Sequence, residues 1–406
     1  MLIYFFDENI LVPFLIKTAV VLAGGRGTRL RPLTYVVPKP LVPVGNIPLL
    51  AHIIRLLSLH GVERVIVVVN YLGEEIVDYV SSRKWGASVE ICDEKPADTA
   101  DAVRKCCEMI PSDEDFFVVM GDVLTNIDLT GLAKFHLEKE ADATISLKTV
   151  DNPLEYGLVL LDKDDKIELF LEKPLSLEIY LMTLAYYRRK TRSHYANYVN
   201  TGFYVLSPRV LRILKEEPYL MDFGRHVFPY LLENGYRVFG WDMGSSYWRD
   251  LGRPKMYLEA NRDLLERQVE PLQPRGELKD PAGIWVAGEL ELEPEAIIIP
   301  PVAIGSNVRV GSKAVVGPYV SIGDDCIISP EARIRNSVIW SDVKVGPKTI
   351  IDGSIVASDV VVGAGARLGP DTVIGHGSVI KDGTTLTSKV VPPTKALLRR
   401  NVEVIV

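Results

Sequence analysis

From Lys17 to about Leu265, short apolar runs alternate with longer stretches in which apolar residues recur three and four positions apart. Ala19 to Ala23, Arg64 to Val69 and Phe116 to Met120 are short and almost continuously apolar, which predicts strands covered on both faces. Leu49 to His60 and Glu74 to Ser82 carry helical spacing instead, with Leu49, Ile53, Leu56 and Leu57 forming a stripe that faces a core. Strands interleaved with amphipathic helices predict a doubly wound α/β sheet over 17–265. Ligands of such sheets bind beyond the carboxyl ends of the strands.

The stretch 266–290 is richer in proline and charge, breaks the alternation and reads as a linker. A different period then takes over. Aliphatic-glycine pairs recur every six positions at Ile304-Gly305, Val310-Gly311, Val316-Gly317 and Ile322-Gly323, and again at Val362-Gly363, Leu368-Gly369 and Ile374-Gly375. Ile328, Ile334, Val345 and Ile351 largely keep the spacing without always keeping the glycine. One inward aliphatic residue per hexad, with glycine at a tight corner that can demand positive φ, lets three hexads close a triangular turn. Residues 291–390 resemble the hexapeptide-repeat left-handed parallel β-helix, followed by a tail over 391–406.

A chain of 406 residues, 47% hydrophobic and 24% charged, is long enough for two such domains. The formal net charge of -7 disfavours nucleic acid or an anionic membrane as partner but leaves room for small anions bound by local basic residues. Cys92, Cys106, Cys107 and Cys326 show neither CxxC nor zinc spacing, as expected of reduced thiols in a cytoplasmic protein. Met1 to Ile16 is interrupted by Asp7, Glu8 and Asn9 and lacks a basic leader, so neither a spanning helix nor a secretion signal is expected there. The first convincing strand begins near Thr18, which makes Leu15 a candidate alternative start.

The chemistry gathers after that first strand. Gly24-Gly25-Arg26-Gly27-Thr28-Arg29-Leu30-Arg31-Pro32-Leu33-Thr34 is followed by Pro38-Lys39-Pro40-Leu41-Val42-Pro43-Val44. A glycine-rich turn lets backbone N–H groups approach phosphate oxygens, and arginine and lysine neutralise charge that moves in phosphoryl chemistry. The GK[ST] ending of a P-loop is absent, and Leu30 replaces the third glycine of GxGxxG. The combined run is similar to the signature of the sugar nucleotidyltransferases, which include mannose-1-phosphate guanylyltransferases and glucose-1-phosphate thymidylyl- and uridylyltransferases.

That resemblance implies a Rossmann-like mixed sheet and a reaction in which a sugar 1-phosphate and a nucleoside triphosphate give an NDP-sugar and pyrophosphate. It implies Mg²⁺ held by Asp122, after the strand ending at Met120, and by Asp250 in Tyr247-Trp248-Arg249-Asp250-Leu251-Gly252. Arg29 and Lys39 would stabilise the phosphate oxygens and leaving group. The nucleotide would lie against Ala23, Gly24, Gly25, Gly27, Thr28 and Arg29, with Glu94, Pro96, Asp98 and Thr99 near the base. The sugar phosphate would meet Gly157, Glu172, Lys173, Asn200 and Gly202. Asp222-Phe223-Gly224 and Phe228-Pro229 resemble the guanylyltransferase branch, which points to GTP and mannose 1-phosphate.

Departures from the pattern keep alternatives in play. Ile47 stands where most relatives are basic, and Ala97 and Asp98 replace Leu and Gly of the loop near the base. Asp98 could accept from guanine N1–H and its exocyclic amine, repel the triphosphate, or cap the helix that begins near Thr99. An insertion over 175–197 with Arg188, Arg189, Lys190 and Arg192 reads as a solvated helix face, or as a lid or subunit contact. A regulatory paralogue that binds an NDP-sugar is the second class of reading, and the intact Arg29, Lys39, Asp122, Lys173 and Asp250 argue against it. An acyltransferase β-helix is a third. His376 lacks an acceptor motif, however, and reads as a surface corner residue, so the β-helix is expected to serve homo-oligomer assembly and stability.

Overall fold

The computed structural model describes residues 16–175, 178 and 197–394. The proposed alternative start at Leu15 and the basic run Arg188 to Arg192 lie outside them. Strands β1 (Thr18–Leu22), β2 (Arg64–Val68), β3 (Ser88–Cys92) and β4 (Phe116–Met120) run parallel in the spatial order β3-β2-β1-β4. The sheet continues through β5 (Ala143–Thr149), β6 (Gly157–Leu161), β7 (Ile167–Glu172), β8 (Tyr198–Leu206) and β9 (Val238–Asp242). Strand β8 lies antiparallel to β4, β5 and β6, while β9 lies parallel to β5, so the sheet is mixed as expected.

The alternation of strand side chains between faces explains why these runs read as continuously apolar. Val21, Val67 and Val119 join one core layer, whereas Val20, Ile66 and Val118 join the other. Helices α1 (Leu49–Leu59), α2 (Gly73–Ser81), α3 (Thr99–Lys105), α4 (Leu129–Glu138), α5 (Pro208–Glu216), α6 (Phe228–Glu233) and α7 (Pro254–Leu265) cover both layers. Leu50, Ile76, Leu132 and Tyr257 place α1, α2, α4 and α7 on the first layer. Val103, Leu211 and Phe228 place α3, α5 and α6 on the second. Among the described residues, no helix is long and apolar enough to cross a membrane.

The stretch read as a linker is packed and partly β. Val269 and Leu272 are buried in the first core layer, and Glu277–Asp280 pairs antiparallel with Ile284–Val286, the first parallel rung of the C-terminal domain. From there, strands of two or three residues stack in three parallel sheets as a β-helix. Successive rungs are 18 residues apart at Ile304 and Ile322 and 17 apart at Ile322 and Ile339. The one-residue deletions account for the hexads that slip out of phase after Ile334. Inward aliphatics such as Val310, Ile322, Ile334 and Leu368 form a separate core.

The hexad glycines have a different cause from the expected one. A Cβ on Gly305 would lie 2.6 Å from the backbone of Gly323, and one on Gly323 would lie 2.6 Å from Ser341 N, so most of these positions are glycine because the next coil stacks so closely. Positive φ falls instead on residues such as Asn307, Asp325 and Asp342. Polar side chains of this kind tolerate the left-handed region better than branched ones.

One face of the β-helix is part of the α/β core. Val338, Trp340, Ile355 and Val373 pack in the same apolar cluster as Tyr257 and Leu264 of α7. Trp340 Nε1 donates to Tyr257 Oη at 3.0 Å, Asn46 Nδ2 donates to the Ile322 carbonyl at 2.7 Å, and Arg275 pairs with Asp324 at 2.6 Å. His376 belongs to this seam. It is 3% exposed, with Nε2 3.2 Å from the Leu33 carbonyl, so the reading of it as a surface corner residue does not hold.

Two buried histidines make the fold sensitive to acid. Burial pushes His376 down to about 4 despite the Leu33 carbonyl and Asp359, and burial with nearby Arg55 does the same to His52, whose Nε2 meets the Val44 carbonyl. Both are neutral in the fold, whereas in the unfolded chain they titrate near 6.5. Between pH 6.5 and 4 the unfolded chain therefore binds more protons, and stability falls as pH falls, by on the order of 3 kcal/mol for each histidine once pH 4 is reached. Urea denaturation at pH 7 and pH 5 should show this loss, and His52→Gln and His376→Gln should each flatten it. Slopes identical to the parent would count against this origin.

Candidate active site

A cleft of about 410 Å³ opens at the carboxyl ends of β1, β2 and β4, lined by Gly24, Gly25, Arg26, Lys39, Asn70, Pro96, Asp98, Thr99 and Asp122 among others. The chain leaves β1 with Ala23 N–H still bonded to the Val68 carbonyl. At Gly24 an added Cβ would lie 2.9 Å from Asn70 Cβ, so the turn can pass β2 only as glycine. Gly27 takes left-handed φ of 58° between the side chains of Thr34 and Lys39, and Thr34 Oγ1 donates to its carbonyl at 2.7 Å. Thr28–Leu30 then makes one 3-10 turn, anchored by the buried Leu30. Ala23, Gly27 and Thr28 shape this loop without lining the cleft.

A third 3-10 turn, Lys39–Leu41, delivers Lys39 to a cluster of charges. Its Nζ donates to Asp122 Oδ2 at 2.7 Å and to Asp250 Oδ1 at 3.1 Å. The aspartates meet because strand Trp248–Asp250 pairs antiparallel with Val123–Thr125, placing Asp250 opposite Val123, next to Asp122. Burial alone would lower the Lys39 pKa, but the two carboxylates outweigh it and leave it raised, so the ammonium keeps its charge. Burial, then Asp122, pushes the Asp250 carboxyl up, with Lys39 and Arg29 opposing. Arg29 is half-exposed at 3.6 Å from Asp250 and 3.9 Å from Glu155.

Behind this cluster, the β6, β7 and β8 region gathers the second predicted set. The Glu172 carboxylate is flanked by two glycines, since a Cβ on Gly157 or Gly224 would lie 2.8 or 2.6 Å from its Oε2. Burial raises its pKa, partly countered by Lys173, whose ammonium is 3.6 Å away and otherwise exposed. Asn200 is already engaged: Oδ1 accepts from Gly202 N–H and Nδ2 donates to Tyr204 Oη, both at 2.9 Å. Those bonds hold the irregularity in β8 where Gly202 has φ of 85° and a Cβ would strike Met120. Trp248 Nε1 donates to the Thr201 carbonyl at 3.0 Å and stacks edge-on against Tyr156, tying the Asp250 strand to this pocket.

Asp98 caps α3, accepting from Thr99 N–H at 2.8 Å. Thr99 Oγ1 donates to Asp222 Oδ2 at 3.0 Å and accepts from Phe223 N–H at 3.1 Å, so the two pockets share a wall. Burial, with the neighbouring Asp222 carboxylate, pushes the Asp98 carboxyl up. Glu94 does not line the cleft, and its carbonyl accepts from Lys105 Nζ. The sequence reading missed Arg26 and Asn70 as lining residues. Asn70 Nδ2 donates to the Pro96 carbonyl at 2.8 Å, and its place just past the end of β2 was the available signal. Ile47 sits in the hairpin Pro43–Val44 and Ile47–Pro48, outside the cleft lining.

Comparison with known proteins adds independent findings. The nucleotidyl transferase family model matches residues 18–267, and the model of the GMPPB C-terminal domain matches residues 298–405. The chain is 33% identical to a UTP–glucose-1-phosphate uridylyltransferase of Synechocystis over 91% of this chain and 90% of that protein. It is 29% identical to a probable mannose-1-phosphate guanylyltransferase of Oryza sativa over 93% of this chain and 96% of that one. A mannose-1-phosphate guanylyltransferase of Mycobacterium tuberculosis is 30% identical over 78% of this chain and 80% of its own length.

The shared wall yields a stability contrast. Asp98→Gly should cost only a few tenths of a kcal/mol, because glycine is a tolerated N-cap. Thr99→Val should cost more, about 1–3 kcal/mol, since it strips a donor from Asp222 and an acceptor from Phe223 N–H. Urea denaturation at pH 7 compares them, and the opposite order would refute the assignment of the wall to the Thr99 hydroxyl.

Proposed function

The chain belongs to the nucleotidyl transferase family, and from that premise we propose that it forms GDP-mannose and pyrophosphate from GTP and mannose 1-phosphate. The observation that carries the reading is the convergence of Lys39, Asp122, Asp250 and Arg29 beside the glycine-rich turn at the carboxyl ends of the strands. The guanylyltransferase relatives and the match to the GMPPB C-terminal domain support guanine and mannose. The uridylyltransferase relative favours a second reading, UTP with glucose 1-phosphate.

In the reaction, a phosphate oxygen of the sugar 1-phosphate attacks the α-phosphorus, and the bond to the β-bridging oxygen breaks, its electron pair leaving with pyrophosphate. No covalent enzyme intermediate is required. Gly24 and Gly25 bring backbone N–H groups to the triphosphate, Arg29 and Lys39 neutralise charge that develops on it, and Lys173 grips the sugar phosphate. Glu172 and the backbone at Gly157 and Gly202 face the sugar. Asp122 and Asp250 both reach one buried ammonium, so a single cation fits between them, and their hard oxygen donors suit Mg²⁺. Among the described residues no group of three or more His, Cys, Asp or Glu side chains could hold a metal ion. Mg²⁺ held by Asp122 and Asp250 would supply charge compensation for the reacting phosphates.

A homo-oligomer through the β-helix belongs to the same reading. Ile327 and Val361 are exposed on rungs that flank Lys344, and Val379 occupies the next. Four free thiols accord with a cytoplasmic setting.

Pyrophosphate release measured across GTP, UTP, dTTP and ATP, each with mannose 1-phosphate and glucose 1-phosphate, tests the proposal. GTP with mannose 1-phosphate should give the highest kcat/KM. UTP with glucose 1-phosphate on top would establish the second reading, and NDP-sugar binding without any turnover would establish a regulatory protein. Asp122→Asn and Asp250→Asn should each lower turnover by about two or more orders of magnitude with the fold intact. Near-parental turnover in both would remove them from the metal site.

A further inference from the structure

The segment Leu33 to Pro43, which carries Lys39 at its centre, is held at both ends from the β-helix side. At one end, the His376 ring lies 3.2 Å through Nε2 from the Leu33 carbonyl and stands edge-on to Trp340, 5.2 Å between centroids. At the other, Trp340 Nε1 donates to Tyr257 Oη, which in turn donates to the Pro43 carbonyl at 2.5 Å. A carbonyl can only accept, and burial keeps His376 neutral, so the ring carries its proton on Nε2. Between the anchors, Thr34 adjoins Leu33, donates through Oγ1 to the Gly27 carbonyl and accepts at its own carbonyl from Tyr71 Oη at 3.1 Å. Gly27 is the left-handed residue of the phosphate-facing turn, and a Cβ there would press on Thr34 at 3.0 Å and on Lys39 at 3.1 Å.

We infer that His376 is a positioning residue for the nucleotide cleft: its Nε2–H fixes the Leu33 carbonyl and, through Thr34, the Gly27 turn. The inference rests on the reading of that cleft as the nucleoside triphosphate site. The β-helix then contributes to substrate binding from outside the cleft, a role beyond assembly, and it does so without donating or accepting a proton in the reaction. Because the bond is short-range and buried, its loss is felt at the glycine turn and Lys39, and much less at the sugar pocket behind Glu172.

The test compares His376→Leu, which fills the space without a donor, with His376→Gln, whose amide N–H can reach the place of Nε2. For His376→Leu the KM for the nucleoside triphosphate should rise about tenfold, while that for the sugar 1-phosphate stays within about twofold. His376→Gln should recover most of the difference. Amide hydrogen exchange is the readout that does not depend on turnover. In His376→Leu, exchange should quicken across residues 24–35 and return in His376→Gln, with α1 and the β-helix rungs unchanged. If His376→Leu does not fold, Tyr257→Phe keeps the ring and removes the donor to the Pro43 carbonyl, and faster exchange across residues 39–42 is then expected. Unchanged exchange across the tested segment, equal loss in the Leu and Gln variants, or equal rises in both KM values would overturn the inference. Absence of turnover in the parent protein would defeat the functional reading alone, since exchange still decides the positioning role.

Discussion

Lys39 between Asp122 and Asp250 is the contact on which the rest of the site depends. Two carboxylates brought together under partial burial repel each other and favour protonation, as the raised Asp250 shows. One buried ammonium bonded to both offsets that repulsion and holds the two carboxylates near each other, at the cost of desolvating the lysine. Removing it would leave an uncompensated buried charge, which is far more costly than the net worth of the pair. The three residues come from three separate parts of the chain, so the same contact closes the glycine turn, the end of β4 and the strand Trp248–Asp250 around a single point.

That closure needs Lys39 to be held from behind. The 3-10 turn that carries it is one turn long and has little stability of its own. Its support comes from the seam, where Leu33 and Pro43 are anchored by His376 and by the Trp340 and Tyr257 pair. The seam is apolar at its centre and hydrogen-bonded at its edges, with Asn46 and Arg275 reaching the β-helix on one side. The two domains are therefore continuous in packing even though their periodicities differ. The charge cluster inherits its position from a surface some distance away.

Much of this was legible in the sequence, and the exceptions have physical causes. Periodicity found the parallel strands and the hexad coils because burial on both faces, or one inward residue per hexad, leaves a direct imprint on residue type. The signature residues located Lys39, Asp122 and Asp250, whose chemistry requires particular side chains. The stretch 266–290 misled because proline and charge also occur where chain packs along a surface, and Val269 and Leu272 are too few to set a period. His376 misled for a related reason. A coil corner that faces solvent and one that faces another domain have the same local sequence, and only the docking of the β-helix decides between them. Asn200, expected as a ligand contact, also holds the bulge at Gly202 with one N–H and one lone pair of its amide, a task that residue type alone does not reveal.

Asp98 is the one residue whose type departs from the expected loop in a way that could read guanine, yet its carboxylate is turned to Thr99 N–H and lies beside Asp222. Reaching a base edge would require it to give up that cap. The backbone of Pro96 to Asp98 lines the same cleft and is fixed by Asn70 Nδ2 on the Pro96 carbonyl. Relatives named for uridylyl and for guanylyl transfer resemble this chain at 33% and 29% identity, so overall residue identity does not choose between the two bases.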